Sequence, residues 1–261
     1  MNAAHKILLI VVCMLFSSHA NAAINETSLA RQGIDQLMNT DLAAARQTFH
    51  QLETRFPDYP LNGLMQISIV WAKAELASEE KLREIFLDQS ADTLGRYIHL
   101  ARKKLVSEPK NRLWRLALGS SLAQFGLVSL RQNNFLQAFS SGREGRDILR
   151  QLIQEHPDVE DAYTVLGLYE LQAGSVPPSL SWLTSLLDLS GDQELGLFYV
   201  NRAIKHAPLF APEAARLLLK FYHPRQQESC IQQPLVKQMH GRYPKNPTFA
   251  WMNREMDITC Q

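Results

Sequence analysis

Six histidines lie beyond residue 22, and they stand singly. His50, His99, His156, His206, His223 and His240 form no H-E-x-x-H and no pair four residues apart, the spacings by which one helix face offers two imidazoles to a metal. Nucleophile signatures are equally sparse. There is no G-x-S-x-G elbow, and Gly119-Ser120-Ser121 lacks the glycine that such an elbow needs after its serine. The carboxylate pairs Glu79-Glu80 and Glu160-Asp161 fall at helix starts, where negative charge suits the N-terminal dipole. The residues therefore predict no catalytic, metal or cofactor set, and the chain reads as a binding protein. A cell-envelope hydrolase, which would need two carboxylates facing across a cleft, is the alternative from another class.

Two other groups could do chemistry. Cys230 and Cys260 have no Cys or His at zinc-ligand spacing, so a disulfide is the expectation over a metal site. Arg143, Arg146 and Arg150 step by three and four residues along one helix, which places them on one face. They pair with Glu144, Asp147 or Glu155, or they form a clamp for a partner's carboxylate, to which the guanidinium fork is suited.

The address is written first. Lys6 supplies positive charge, Ile7 to Phe16 an apolar core, and Ala20-Asn21-Ala22 a small-x-small cleavage site, so residues 1–22 read as a secretory signal peptide. An exported, periplasmic protein is expected, in a compartment where thiols pair. Cys13 lies inside the apolar core after Val11-Val12 and does not read as a lipid attachment point. Removing Lys6 from the 27 basic residues leaves 26 against 26 acidic ones, which argues against a nucleic-acid partner. No second apolar run reaches membrane-spanning length; peripheral contact with the envelope stays open.

From Asn25 onward the apolar residues recur at helical period and strand alternation is nearly absent. Gly33, Ala45, Phe49 and Pro57 stand at gaps of 12, 4 and 8 residues. A second, interrupted copy runs through Tyr163, Leu166 and Gly167, then Gly196, Ala203 and Pro208, with 29 residues between the two glycines instead of 12. This pattern resembles the tetratricopeptide repeat (TPR), whose Gly, Ala, aromatic and Pro take those positions. The run Gly167-Leu168-Tyr169 to Ala173-Gly174, with Pro177-Pro178, Trp182-Leu183 and Gly191-Asp192, resembles a group of exported bacterial TPR-like proteins without an assigned biochemical role. The resemblance implies an all-α, right-handed solenoid of helix-turn-helix pairs over residues 23–245, with residues 246–261 as a capping tail. It implies no activity.

Between the copies, helices are expected over Leu61–Leu76 (Leu64, Ile67, Val70 and Trp71 inward), Glu79–Leu105 (one helix, or two broken near Ser90), Leu113–Arg131 and Phe135–His156. Pro212–Tyr222 and Gln226–Arg242 follow. The 17 extra residues, Ser175 to Gly191, form a hydrophobic insertion with Asp188 as its one charge. Trp182, Leu183 and Leu186 either pack back on the solenoid or meet a partner. The work expected of the chain is a scaffold or adaptor that takes a protein or peptide segment in its concave groove, at the insertion, or both. A purely structural envelope subunit is the third reading.

Overall fold

The computed structural model describes residues 25–173, 191–222 and 230–260. Residues 1–22, read above as a signal peptide, and the insertion residues Trp182, Leu183 and Leu186 lie outside them. Among the described residues eleven α-helices follow one another and no strand occurs. They are α1 (Glu26–Met38), α2 (Leu42–Arg55), α3 (Asn62–Leu76), α4 (Glu80–Ser107), α5 (Arg112–Arg131), α6 (Phe135–Glu155), α7 (Asp161–Ala173), α8 (Gln193–His206), α9 (Ala211–Tyr222), α10 (Gln233–Arg242) and α11 (Pro247–Thr259). A short 3₁₀ turn, Cys230–Gln232, leads into α10.

Local sequence starts and stops these helices. The side chains of Asn25, Asp41, Asn111, Asn134, Asp192 and Asn246 each accept a backbone N–H from the first turn that follows. Such caps satisfy donors that a helix start leaves unpaired, each contributing about 1 kcal/mol. Four of the five even-numbered helices, α8 excepted, end in one recurring way. Phe56, Glu108, His156 and Tyr243 each precede a proline, share φ near −130° and ψ near 65°, and donate their N–H to the carbonyl four residues back. Their own carbonyls accept from Tyr59, Asn111, Val159 and Asn246, three residues on. Because proline cannot extend the ladder, the chain turns at the same point each time.

Each helix packs on the next, and α1, α3, α5, α7 and α9 also touch in succession. That is the order of a solenoid built from helical hairpins. One core cluster runs from Leu29 through Phe49, Leu94 and Leu149 to Met256.

Several boundaries differ from the sequence reading. α4 is the single helix of the two readings, 28 residues long and ending at Ser107 rather than Leu105, because Ser90 returns its hydroxyl to the Phe86 carbonyl at 2.8 Å and stays buried without breaking the ladder. On α3 the inward face turns toward Met65 and Ile69, leaving Val70 and Trp71 half-buried. α10 begins at Gln233 rather than Gln226. The tail is itself a helix, seating Phe249, Met252 and Met256 against the core.

The chain also closes on itself. α1 and its C-cap meet the turns that follow α8 and α10. Arg31 lies beside Asp161 and donates to the Pro208 carbonyl at 3.0 Å. Asp35 accepts from the Tyr243 hydroxyl at 2.6 Å and from Arg242 at 3.2 Å. The Met38 carbonyl accepts from Asn246 at 2.6 Å, and Thr40 donates to the Lys245 carbonyl at 3.2 Å. These contacts join residues about 205 apart in sequence.

Candidate functional site

The signature residues settle at helix crossings. A Cβ on Gly33 would overlap the Phe49 ring, and Ala45 is fully buried beside it. In the interrupted copy, Gly167 faces Val200 and the Gly196 carbonyl across α7 and α8, with Ala203 and Leu166 fully buried. Tyr163 is buried against Tyr199, edge to face, with the Arg202 guanidinium 4.2 Å above its ring. The 29-residue separation thus leaves the two halves of that pair in contact. Pro57 and Pro208 occupy the turns, and the Pro208 carbonyl holds Arg31.

α5 and α6 come closer than any sequence motif indicated. A Cβ on Gly145 would lie 2.6 Å from the Gly119 carbonyl, and one on Gly126 would lie 2.8 Å from the Ala138 carbonyl. Two backbones in such contact make a stiff pair. The pair fixes the three arginines of α6, and it separates them. Arg146 faces inward: it is 5% exposed, bonds Asp147 at 2.9 Å, and stacks its guanidinium 5.2 Å from the Tyr169 ring. Burial works against its charge, but Asp147, Tyr169 and Glu170 outweigh that and raise its pKa. Arg150 reaches α7 and donates at 2.6 Å to Glu170, whose side chain is fully buried. The other Glu170 oxygen accepts the Asp192 N–H at 3.0 Å, and Asp192 caps α8. The Arg150–Glu170 pair therefore fixes the place where the chain re-enters α8. Arg143 sits on the exposed side, 3.9 Å from Asp147. Glu144 and Glu155 are engaged by Arg102 of α4 and Arg115 of α5.

The outer face of α6 bounds a groove of about 830 Å³, with Leu136, Phe139 and Ile148 as apolar wall and Ser140, Arg143 and Asp147 as polar groups. Leu136 is 79% exposed and Phe135, beside it, 50%. Smaller depressions, about 460 Å³ each, lie on α8 beside Phe198, Arg202 and Lys205, and on α2 beside Arg46, His50 and Glu53. All three lie on even-numbered helices. An apolar strip with a few fixed polar groups is the usual make-up of a protein-binding patch.

Among the described residues Asp161 is the one carboxyl driven upward by burial. It is opposed by the N–H groups of Phe210 and Leu209, which it accepts at 2.8 and 3.0 Å, and by Arg31. Both of these bonds hold the α8–α9 turn, which is a structural role. Among the described residues no group of three His, Cys, Asp or Glu could hold a metal ion, and no helix is long and apolar enough to cross a membrane. Cys230 and Cys260 are joined by a disulfide with Cα atoms 5.6 Å apart. No protein-family model, curated protein or solved structure matches the chain.

Proposed function

We propose that this chain is an exported scaffold or adaptor, a right-handed solenoid of TPR type that holds a protein or peptide segment. The observation that carries the reading is the α6 groove: the exposed Leu136 beside half-buried Phe139 and Ile148, with Arg143 among them, borne by a helix in close backbone contact with α5. Successive helical hairpins, the recurring proline turns and the signature residues at their crossings support the TPR assignment. A leader-like first 22 residues and the disulfide support export to an oxidising compartment, the periplasm.

The occupant that fits the groove is an amphipathic segment with a carboxylate. Its apolar side would cover Leu136, Phe139 and Ile148, and its carboxylate would meet the Arg143 fork.

The test is site-specific photo-crosslinking in cells from position 140 on the groove floor. A discrete adduct is expected, lost in Phe139→Asp and weakened in Arg143→Glu. Arg143→Glu should melt like the parent, because that position is exposed, whereas Phe139 is half-buried and its variant is read on protein shown to be folded. If no adduct rises above background while the protein is folded and exported, the reading fails.

A further inference from the structure

Two side chains of the terminal hairpin serve two helices at once. The Asn246 carboxamide oxygen caps α11, accepting the N–H of Thr248 at 3.0 Å and of Phe249 at 3.3 Å. Its Nδ2 donates to the Met38 carbonyl at 2.6 Å, so the group that starts α11 also grips the end of α1. Tyr243 donates to Asp35 of α1, and its ring stacks on Phe249 of α11 at 6.2 Å between centroids. The clasp on α1 is intact only while α11 is folded.

α11 seats Phe249, Met252 and Met256 in the core but has α10 as its main neighbour. It is 13 residues long, ends the chain and packs chiefly on α10. Helices of that length are marginal alone, and terminal elements open first. What shuts the hairpin is the Cys230–Cys260 bond, which ties the 3₁₀ turn before α10 to the residue that closes α11. Both cysteines are half-buried.

We propose that this disulfide is a redox control on closure of the solenoid, holding α1 in place when oxidised and releasing it when reduced. The reductant is a dithiol. One of its thiolates attacks a cysteine sulfur, the S–S electron pair leaves with the other sulfur, and that sulfur takes a proton. The second thiol then resolves the mixed disulfide, so the reductant departs as its own disulfide and the protein keeps two thiols. α11 frays, Asn246 and Tyr243 lose their fixed positions, and the contacts to Asp35 and Met38 go with them. The side of α1 that carries Asp35 becomes available to a partner, while Gly33 stays packed on Phe49 of α2. That last step rests on the scaffold reading above; the release of α1 does not.

Backbone amide exchange on the full exported protein tests the release, with and without dithiothreitol. Reduction should speed exchange at least tenfold in residues 29–38 and 247–259 while 112–155 stay as protected as before. Fluorescence of anilinonaphthalenesulfonate, which reports exposed apolar surface, should rise in step. Asn246→Ala in the oxidised protein should reproduce the exposure of α1 with the disulfide in place. The proposal is overturned if α11 loosens while α1 keeps its protection, or if all helices lose protection together. Photo-crosslinking from position 34, run in parallel, separates the two claims. Faster α1 exchange with no adduct in either redox state retains the clasp and counts against partner binding at this face. An adduct whose yield ignores the redox state, with α1 exchange unchanged, overturns the clasp alone.

Discussion

The α5–α6 crossing sets up a test in which the same substitution should change sign between two glycines. Gly95 is exposed in the middle of α4, with nothing within 4 Å of where its Cβ would stand. Gly95→Ala should then show the plain helix-propensity gain of about 0.5–1 kcal/mol. Gly145→Ala receives the same propensity gain, but its Cβ would lie 2.6 Å from the Gly119 carbonyl, 2.9 Å from the Ala123 nitrogen and 3.1 Å from the Leu122 Cβ. The two closest are backbone atoms, which cannot swing aside as a side-chain end could. The helices must separate, and overpacking of that kind costs about 1–3 kcal/mol. Overpacking wins, so Gly145→Ala should destabilise by about 1–2 kcal/mol. For a chain of this size the two variants should melt about 4–8 °C apart, Gly95→Ala above the parent and Gly145→Ala below it. Thermal melts and urea titrations read this directly. If Gly145→Ala stabilises as much as Gly95→Ala, the two backbones are not in contact and the placement of the α6 groove falls with them.

Three more outcomes follow from single groups. Arg150→Met strands the buried Glu170 carboxylate and should cost about 3 kcal/mol, the low end for breaking a buried pair because Arg150 is itself more than a third exposed. Adding Glu170→Gln, which keeps an acceptor for the Asp192 N–H, should recover most of that loss, and a double-mutant cycle in urea measures the coupling. The Asp161 carboxyl titrates above its ordinary 3.8, so its contribution to stability is full below that value and is lost as pH rises through the folded-state pKa. Asp161→Asn should therefore gain on the parent as pH climbs from below 3.8, and a pH-independent difference between the two would refute the assignment. Peptide mapping without reductant should recover Cys230 and Cys260 as one linked pair, and two free thiols would remove the basis of the clasp.

Local chemistry explains which features were legible in the sequence. Proline turns and Asn or Asp caps act within four residues, so Pro57, Pro109, Pro157 and Pro244 marked the ends of α2, α4, α6 and α10 to within about two residues. The arginine trio shows where a one-helix argument stops. Steps of three and four confine Arg143, Arg146 and Arg150 to a broad arc, but the edge of the core passes through that arc. Arg146 falls inside it and Arg143 outside. The buried partner of Arg150, Glu170, lies 20 residues on, whereas Glu144 and Glu155 turned to other helices. The α5–α6 crossing did leave a trace: Gly119 and Gly126 recur after seven residues, and Gly145 answers them on α6. The strap of α1 left none, because Asp35, Arg242, Tyr243 and Asn246 are ordinary surface types until the solenoid winds far enough to bring them together.

That winding bears on where the chain could bind. A solenoid offers its inner face when its first and last units stand apart, and here the first helix is bonded to turns of the last units. In this form Phe135 and Leu136 of α6 are accessible, on a helix held by close backbone contact with α5. The inner face would require α1 to leave, and the groups that hold α1 are few, polar and tied to a terminal hairpin with one covalent fastening. The two surfaces therefore belong to two states of the molecule. A partner on α6 would be indifferent to the disulfide, whereas a partner at the inner face would compete with α1 and bind more tightly after reduction. The redox dependence of binding, rather than its strength, tells which surface is in use.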